Sequence, residues 1–272
     1  MGTSSSSKGP KGGVSFDPPW LTSATGEIGI TPSTGVLPVP IGTEIAPSNR
    51  FTSARINFRN YATGNGGRNS LKKAVRAYVR YGLGGSARAA ARMRYTTAIG
   101  SRLYSLLRGV DVADGGEFQE TLRKLLEGEH SVEDVISEIV NFVVKAKGGA
   151  DEELARASVT EALSEKLSQD PDIDLLNMDE DALWELLAIY MEKEIVKRMY
   201  FDIGQSLESD AINIATKLSK LEDVEKFVGS AVTVRLERTR KGQQIVSQQT
   251  VCDIIAETEV LTFKFFEGGC DE

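Results

Sequence analysis

Apolar residues recur at helical spacing along most of the chain after about residue 69. One buried stripe is predicted at positions i, i+4, i+7 and i+8 of a helix. Its members are Leu71, Val75, Tyr78 and Val79. The segment from Val132 to Val143 has the most regular amphipathic pattern. This periodicity predicts an all-α, mainly helical body.

Other helices follow from glycine positions and local composition. The glycines of residues 82–85 end the first helix, and Ser86 is predicted to cap an alanine-rich helix that runs to about Arg108. Residues 232–236 alternate like a strand, but their Glu-, Lys- and Leu-rich flanks favour a helix. Further helices are predicted over residues 154–167, from about 177 to 195, and over 212–228 and 251–266.

The first 49 residues differ from the rest in composition. They hold seven of the eight prolines and eight of the 26 glycines. Proline removes backbone donors and glycine raises the entropy cost of ordering, so residues 1–49 are predicted to form a long extended or disordered arm. Short apolar stretches such as Pro18–Leu21 and Ile28–Ile30 are suited to docking this arm on the body or on a partner.

Charge divides the remaining chain into two parts. Residues 50–110 carry 13 basic side chains and no acidic one, whereas residues 111–272 carry a net charge of −19 within the overall −7. We predict a basic helical segment at 50–110 and an acidic helical segment at 111–272 that pack together as one body.

Basic residues four positions apart form a candidate binding surface on the helices of the basic segment. They are Lys72, Arg76, Arg80, Arg88 and Arg92. Positive charge on helices with interleaved tyrosines suits the phosphate backbone of a nucleic acid. The alternative is that this segment docks against the acidic part of the same chain or of a partner.

Few side chains are suited to catalysis or metal binding. His130 is the only histidine, and it precedes residues 131–134, which resemble a helix-capping signal. Cys252 and Cys270 lack the paired spacing of a zinc site. Any Ser-His or Cys-His nucleophile would depend on the single imidazole. We therefore expect no enzyme activity, no cofactor and no metal ion.

Two further patterns have simpler explanations. Residues 82–87 match a dinucleotide-binding pattern, but a helix precedes them where the motif needs a strand. Asp170, Asp172 and Asp174 occupy calcium-loop positions, but Leu175 stands where the sharp turn needs glycine. A helix–turn–helix connection and an acidic loop between helices are the favoured interpretations.

No part of the sequence predicts membrane insertion or export. No uncharged apolar run approaches the ~18 residues of a membrane span. No apolar stretch of a secretory signal follows Lys8 and Lys11. We expect a cytoplasmic protein without a membrane partner.

The N-terminus offers a specific chemical possibility. Because Gly2 is small, Met1 is expected to be removed, which exposes an α-amine that is partly neutral near pH 7 and unshielded by a side chain. A narrow serine-rich tail behind it can enter the active site of another enzyme. The tail consists of Thr3, Ser4, Ser5, Ser6 and Ser7. The same stretch also fits a myristoylation pattern.

Two segments together resemble a known family. The chain begins with MGTSSSSKGPKGG and continues to Pro18–Trp20, and a helix–glycine–helix segment follows at Tyr78–Met93. Both are similar to the QatB family of the bacterial Qat anti-phage defence system, over roughly residues 1–108. That resemblance implies a four-component system with an ATPase, a QueC-like enzyme (QatC) and a TatD-like nuclease as the other members.

The resemblance also implies a role for the N-terminus. QueC-type enzymes use ATP to activate the carboxylate of a 7-deazaguanine, which ammonia then attacks; in the defence versions a glycine amine replaces ammonia. Gly2 would be the acceptor, and Thr3 to Ser7 with Trp20 would form the tail that the partner binds. A bacterial origin disfavours myristoylation.

Two hypotheses from different classes result. The first is a non-enzymatic defence component that is the protein substrate and binding partner of the QueC-like enzyme. The second is a helical nucleic-acid-binding module that uses the basic segment at 50–110.

Overall fold

The computed structural model describes residues 16, 30–33, 35, 44–109, 115–128, 130–145, 149–204, 213–245 and 247–268. These residues form ten α-helices and one π-helical turn, and none of them forms a β-strand element. The prediction of a mainly helical body is therefore confirmed. Among the helices described, none combines the length and the apolar character that crossing a bilayer requires.

The helices follow one another with short connections. They are α1 (Thr52–Ala62), α2 (Gly67–Ala77), the π-helical turn (Tyr78–Gly82), α3 (Ser86–Arg92), α4 (Arg94–Arg108), α5 (Gly115–Glu127), α6 (Val132–Val143), α7 (Ala150–Gln169), α8 (Glu180–Ile203), α9 (Ile214–Arg240) and α10 (Gln248–Gly268).

Helix α4 lies at the centre of the body. All of its residues from Tyr95 to Leu107 are buried, and it packs against α8 and α10. The ring of Tyr104 on α4 lies 4.7 Å from that of Trp184 on α8. One cluster of buried apolar side chains extends from Phe51 to Phe266, so the basic and acidic segments share a single hydrophobic core.

The alanine-rich region contains two helices where one was predicted. Helix α3 ends at Arg92, Met93 leaves helical geometry with ψ of 3°, and α4 begins at Arg94. The Met93 N–H donates to the Ala90 carbonyl at 2.9 Å. This three-residue hydrogen bond tightens the end of α3 and separates it from α4.

Ser86 is the first residue of α3, and the prediction that it caps this helix is wrong. Gly85 takes the cap position with φ of +101°, a conformation that favours glycine. The Ser86 N–H donates to Glu267 Oε2 at 2.9 Å instead. A carboxylate from α10 therefore serves the N-terminus of α3.

Helix α8 begins a few residues later than predicted. Asp179 is its N-cap and accepts a hydrogen bond from the Ala182 N–H at 2.7 Å. The predicted start, Asn177, donates its side-chain amide to Asp174 Oδ2 at 2.7 Å. The aspartate next to the helix, and not the asparagine, supplies the cap.

Two other predictions of local structure are confirmed. Ser131 and Asp134 form a reciprocal capping box at the start of α6. Residues 232–236 continue α9 as a helix. Val232 and Leu236 are both buried at helical spacing, so the core face of α9 overrides the strand-like alternation.

Candidate functional site

A groove opens on the surface where residues 44–50, α1 and the π-helical turn meet, with a volume of about 730 Å³. Its charged side chains are Glu44, Arg50, Arg80 and Arg88. Its large apolar and aromatic side chains are Phe16, Ile45, Ile56 and Tyr81. We call it the arginine groove.

The π-helical turn places two of these side chains on the surface. It contains a hydrogen bond between residues five apart, which widens the turn by one residue relative to an α-helix. A Cβ at Gly82 would lie 2.6 Å from ring atoms of Phe51, so only glycine lets the turn approach the start of α1 this closely. Arg80 and Tyr81 remain exposed beside this contact.

Phe16 of the N-terminal arm is buried in the arginine groove. Its N–H donates to the Glu44 carbonyl at 2.9 Å, and the residue is only 6% exposed. The guanidinium groups of Arg50 and Arg88 lie 5.5 Å and 5.1 Å from the centroid of its ring. Apolar burial and two cation–π contacts thus hold this position.

A second part of the arm contacts the last helix. The Ser33 N–H and hydroxyl donate to the Asp253 carboxylate at 2.7 Å and 2.6 Å. The Gln249 side chain donates to the Thr31 carbonyl at 2.9 Å. The arm therefore has contacts on α10 as well as in the groove.

The charge of Arg50 is only partly neutralised by the protein. Its guanidinium lies 4.9 Å from the centroid of the Phe51 ring. Burial and the nearby Arg92 lower the pKa of Arg50, and Asp202 acts in the opposite direction. Among the described residues, neither Nε nor Nη1 of Arg50 has a hydrogen-bond acceptor.

Asp202 of α8 lies behind the groove and joins the two charged segments. Its Oδ2 accepts a hydrogen bond from the Tyr78 hydroxyl at 2.9 Å, and its carbonyl accepts one from Arg55 Nη2 at 2.8 Å. Burial raises the pKa of Asp202, while Tyr78, Arg92 and Arg198 lower it. Tyr78, which the sequence predicted as a core residue and as one of the tyrosines interleaved with the basic residues, also positions this carboxylate.

The structure separates the five predicted basic residues. Arg76 and Arg80 are exposed, whereas Lys72, Arg88 and Arg92 are half-buried. Arg88 forms an ion pair with Glu44 across the groove. Only Arg80 and Arg88 line the arginine groove, so equal spacing along the chain does not produce one common surface.

The predicted acceptor and tail residues lie outside the described residues. They are Gly2, Thr3, Ser4, Ser5, Ser6, Ser7 and Trp20. The described residue nearest to them that has tertiary contacts is Phe16, which sequence reasoning did not single out. Arg50, Ile45 and Ile56 were also missed as parts of one site. The start of the acid-free stretch after Glu44 is the only sequence signal near them.

Several polar groups of the basic segment contact the acidic segment directly. The Tyr61 hydroxyl donates to Asp223 Oδ2 at 2.7 Å, and Arg108 lies 3.8 Å from Glu180. Part of the basic segment is therefore used within the chain, as the alternative of intramolecular docking expects.

Two buried glutamates accept hydrogen bonds from the first turn of α4. Thr96 donates to Glu194 Oε2 at 2.9 Å, and Thr97 donates to Glu259 Oε2 at 2.8 Å. Burial is the largest cause of the raised pKa of each carboxyl group. Both residues have zero exposure, so this pair is closed to an outside substrate.

The remaining candidates have local structural roles. Asp174 Oδ1 accepts the Leu176 N–H at 2.9 Å within the loop before α8, which stabilises that loop. Asp181, which occupies position 12 of the calcium-loop pattern, pairs with Arg240 at 2.9 Å. His130 is exposed beside the capping box. No group of three or more His, Cys, Asp or Glu side chains suited to a metal ion occurs in the described part of the chain.

One comparison with known proteins gives a match. A family model described as "Qat anti-phage system associated protein QatB" matches residues 84–266, about two thirds of the chain. No curated protein and no solved structure matches. The matched range covers α3 to α10 and little of the segment, roughly residues 1–108, on which the sequence resemblance was based.

Proposed function

The chain belongs to the QatB family and so has a role in the Qat anti-phage system, and from this premise we propose that it is a protein substrate of a QueC-like enzyme. The acceptor is the α-amine of Gly2. The amine nitrogen bonds to the carbonyl carbon of an ATP-activated 7-deazaguanine carboxylate and gives up a proton as the activating group leaves. Because the reaction consumes ATP, we place it in the cytoplasm.

The docking of Phe16 is the observation that best supports this proposal. The ring is held in the groove by a backbone hydrogen bond and two guanidinium contacts. Gly2 lies fourteen positions earlier in the sequence. An extended chain of that length spans at most about 50 Å. Phe16 thus supplies a fixed origin from which the amine can reach the active site of a bound enzyme.

The described side chains support a non-enzymatic role for this chain. The described lining of the arginine groove offers cations and apolar surface but only one carboxylate, Glu44, which is paired with Arg88. The buried carboxyl groups of Glu194 and Glu259 are out of reach of a substrate. We assign the chemistry to the partner and the acceptor to this chain.

The test is mass spectrometry of the N-terminal peptide after co-expression with the QueC-like enzyme of the same system. We expect loss of Met1 and an adduct of 7-deazaguanine mass on Gly2. Co-expression with an enzyme variant disabled in its ATP site should leave the amine free. A bare Gly2, or a retained Met1, in the presence of active enzyme would overturn the proposal.

A helical nucleic-acid-binding module is the second candidate. The observation that favours it is the exposure of Arg76 and Arg80 next to the exposed ring of Tyr81. Charge reversal at Arg76 and Arg80 should then abolish a salt-dependent shift of labelled DNA or RNA. Unchanged binding in that double variant would exclude this use of the basic segment.

A further inference from the structure

We propose that the arginine groove binds an extended segment of a partner protein in which apolar and acidic side chains alternate. This interaction goes beyond the conjugation of Gly2 and does not depend on it. Its basis is the placement of aliphatic and aromatic surface next to guanidinium groups in one concave site.

Three large apolar side chains that line the groove are exposed to solvent. Ile45, Ile56 and Tyr81 are 65%, 55% and 54% exposed, although each is a large side chain and all line the same groove. Contiguous exposed apolar surface of this kind marks a binding site more often than chance exposure does. Leucine-like side chains of a partner would cover it.

The charge of the groove selects acidic neighbours for those side chains. Arg50, Arg80 and Arg88 line the groove, and among its described lining residues only Glu44, which is paired with Arg88, carries a carboxylate. Guanidinium groups stay protonated in proteins, so this excess cannot be removed by loss of a proton. Arg80 is exposed and can donate to a ligand in the groove, whereas the two Arg50 nitrogens that lack an acceptor among the described residues are buried. A carboxylate of a partner can accept charge-assisted hydrogen bonds from Arg80.

The same residues favour a peptide over a nucleic acid. Single-stranded nucleic acids bind on aromatic rings that stack with successive bases. Among the described lining residues, the exposed apolar surface is largely aliphatic, from Ile45 and Ile56, and Tyr81 is the one exposed ring. In an extended peptide, successive side chains point to opposite sides, so apolar and acidic side chains can contact the aliphatic and the cationic residues of the groove separately.

The experiment measures binding of fluorescein-labelled peptides to the full chain by anisotropy. The probe is a short peptide of alternating leucine and glutamate. The same peptide with glutamine in place of glutamate tests the charge, and labelled oligothymidylate tests the nucleic-acid alternative. The variants are Arg80→Glu and Ile56→Asp. Arg76→Glu is the matched control, because Arg76 is exposed one helical turn before Arg80 but does not line the groove.

We expect the leucine–glutamate peptide to bind, and each groove variant to weaken it about tenfold or more. Arg76→Glu should change its affinity less than about twofold, and the glutamine peptide should bind at least about tenfold more weakly. Thermal unfolding of each variant is the check that it is folded. Absence of peptide binding, an equal loss in Arg76→Glu, equal binding of the glutamine peptide, or preferred binding of oligothymidylate would each overturn the proposal.

Discussion

The arginine groove and the cluster around Lys193 carry opposite excesses of charge. Three arginines line the groove, and Glu44, paired with Arg88, is the one carboxylate among its described lining residues. Between α7, α8 and α9, three glutamates share one ammonium group: Lys193 Nζ lies 3.0 Å from Glu165, 3.5 Å from Glu192 and 3.2 Å from Glu225. One excess belongs to the basic segment and the other to the acidic segment.

The two clusters differ in whether their excess of charge can change with pH. A carboxylate loses its charge by binding a proton, and burial raises the pKa of Glu192 to about 7, with Glu165 and Glu225 adding to the shift and Lys193 opposing it. A guanidinium group cannot lose its charge within the pH range of a folded protein. Protonation of Glu192 near pH 7 therefore reduces the negative excess of the glutamate cluster, whereas the groove keeps its positive charge.

The largest expected effect comes from removing the carboxylate behind the groove. In Asp202→Ala, the hydroxyl of Tyr78 loses its acceptor, and Arg50, Arg92 and Arg198 lose a nearby negative charge. We expect the free energy of unfolding to fall by about 2–3 kcal/mol, less than for a fully buried pair because Asp202 is half-buried. Urea unfolding measures the change.

The isosteric variant Asp202→Asn separates the two causes. It keeps an acceptor for Tyr78 and removes only the charge, so it should recover about 1 kcal/mol of the loss. If both variants unfold at the same urea concentration as the unchanged chain, Asp202 does not stabilise the fold by compensating the charges of Arg50, Arg92 and Arg198.

Removal of the Phe16 ring, which packs in the arginine groove, should have the next largest effect. In Phe16→Ala, the loss of the buried ring weakens docking by about 1.5–2 kcal/mol, so the amide at position 16 should exchange hydrogen more than about tenfold faster. Hydrogen exchange followed by mass spectrometry measures this. Phe201→Ala is the control, since Phe201 is 67% exposed. Equal exchange in all three chains would show that Phe16 does not hold the arm.

Glu192→Gln tests the cluster around Lys193 through the pH dependence of the free energy of unfolding. The folded pKa of about 7 exceeds the ordinary value of 4.5. The favourable contribution of Glu192 is thus complete below about pH 4.5 and is lost as the pH rises through 7. The variant lacks this loss, so it should be about 1–2 kcal/mol more stable than the unchanged chain at pH 8, and equally stable at pH 4.

The control for this pH dependence is Glu222→Gln, which alters an exposed pair with Lys226. It should show no gain at pH 8, because exposed carboxylates do not pay the cost of burial. Denaturant unfolding at both pH values gives the comparison. If the stability of Glu192→Gln follows that of the unchanged chain from pH 4 to 8, the pKa of Glu192 is not raised by folding.

The smallest effect is expected at the outer edge of the groove. Arg80→Ala should change the free energy of unfolding by less than about 0.5 kcal/mol, since Arg80 is exposed. Arg50→Ala, which removes contacts with two aromatic rings, should cost about 1 kcal/mol. Thermal and urea unfolding distinguish the two. A large loss in Arg80→Ala would show that this arginine serves stability and not an external partner.

Local structure was predictable where a single pattern decides it. The apolar spacing of α6 and the capping box of Ser131 need only residues close in sequence, and both were predicted. The break at Met93 was not, because no glycine or proline marks it. The start of α3 was misplaced because its first N–H is served by Glu267 from α10, about 180 residues away.

The candidate site was predictable only in part. The acid-free run after Glu44 indicated a basic surface, and Arg80 and Arg88 do line the groove. The division between exposed Arg76 and half-buried Arg92 could not be predicted, since both follow the same four-residue spacing. Which side of a short helix is covered depends on elements distant in sequence.

The sequence by itself determined the helical class, the division of charge and the composition of the N-terminal arm, because each depends on residue type and local spacing. Only the tertiary structure decided that Phe16 docks beside Arg50 and Arg88, and that Asp202 reaches Tyr78 from α8. These contacts join groups far apart in the chain. Their free energies depend on burial and distance, which exist only once the helices have packed.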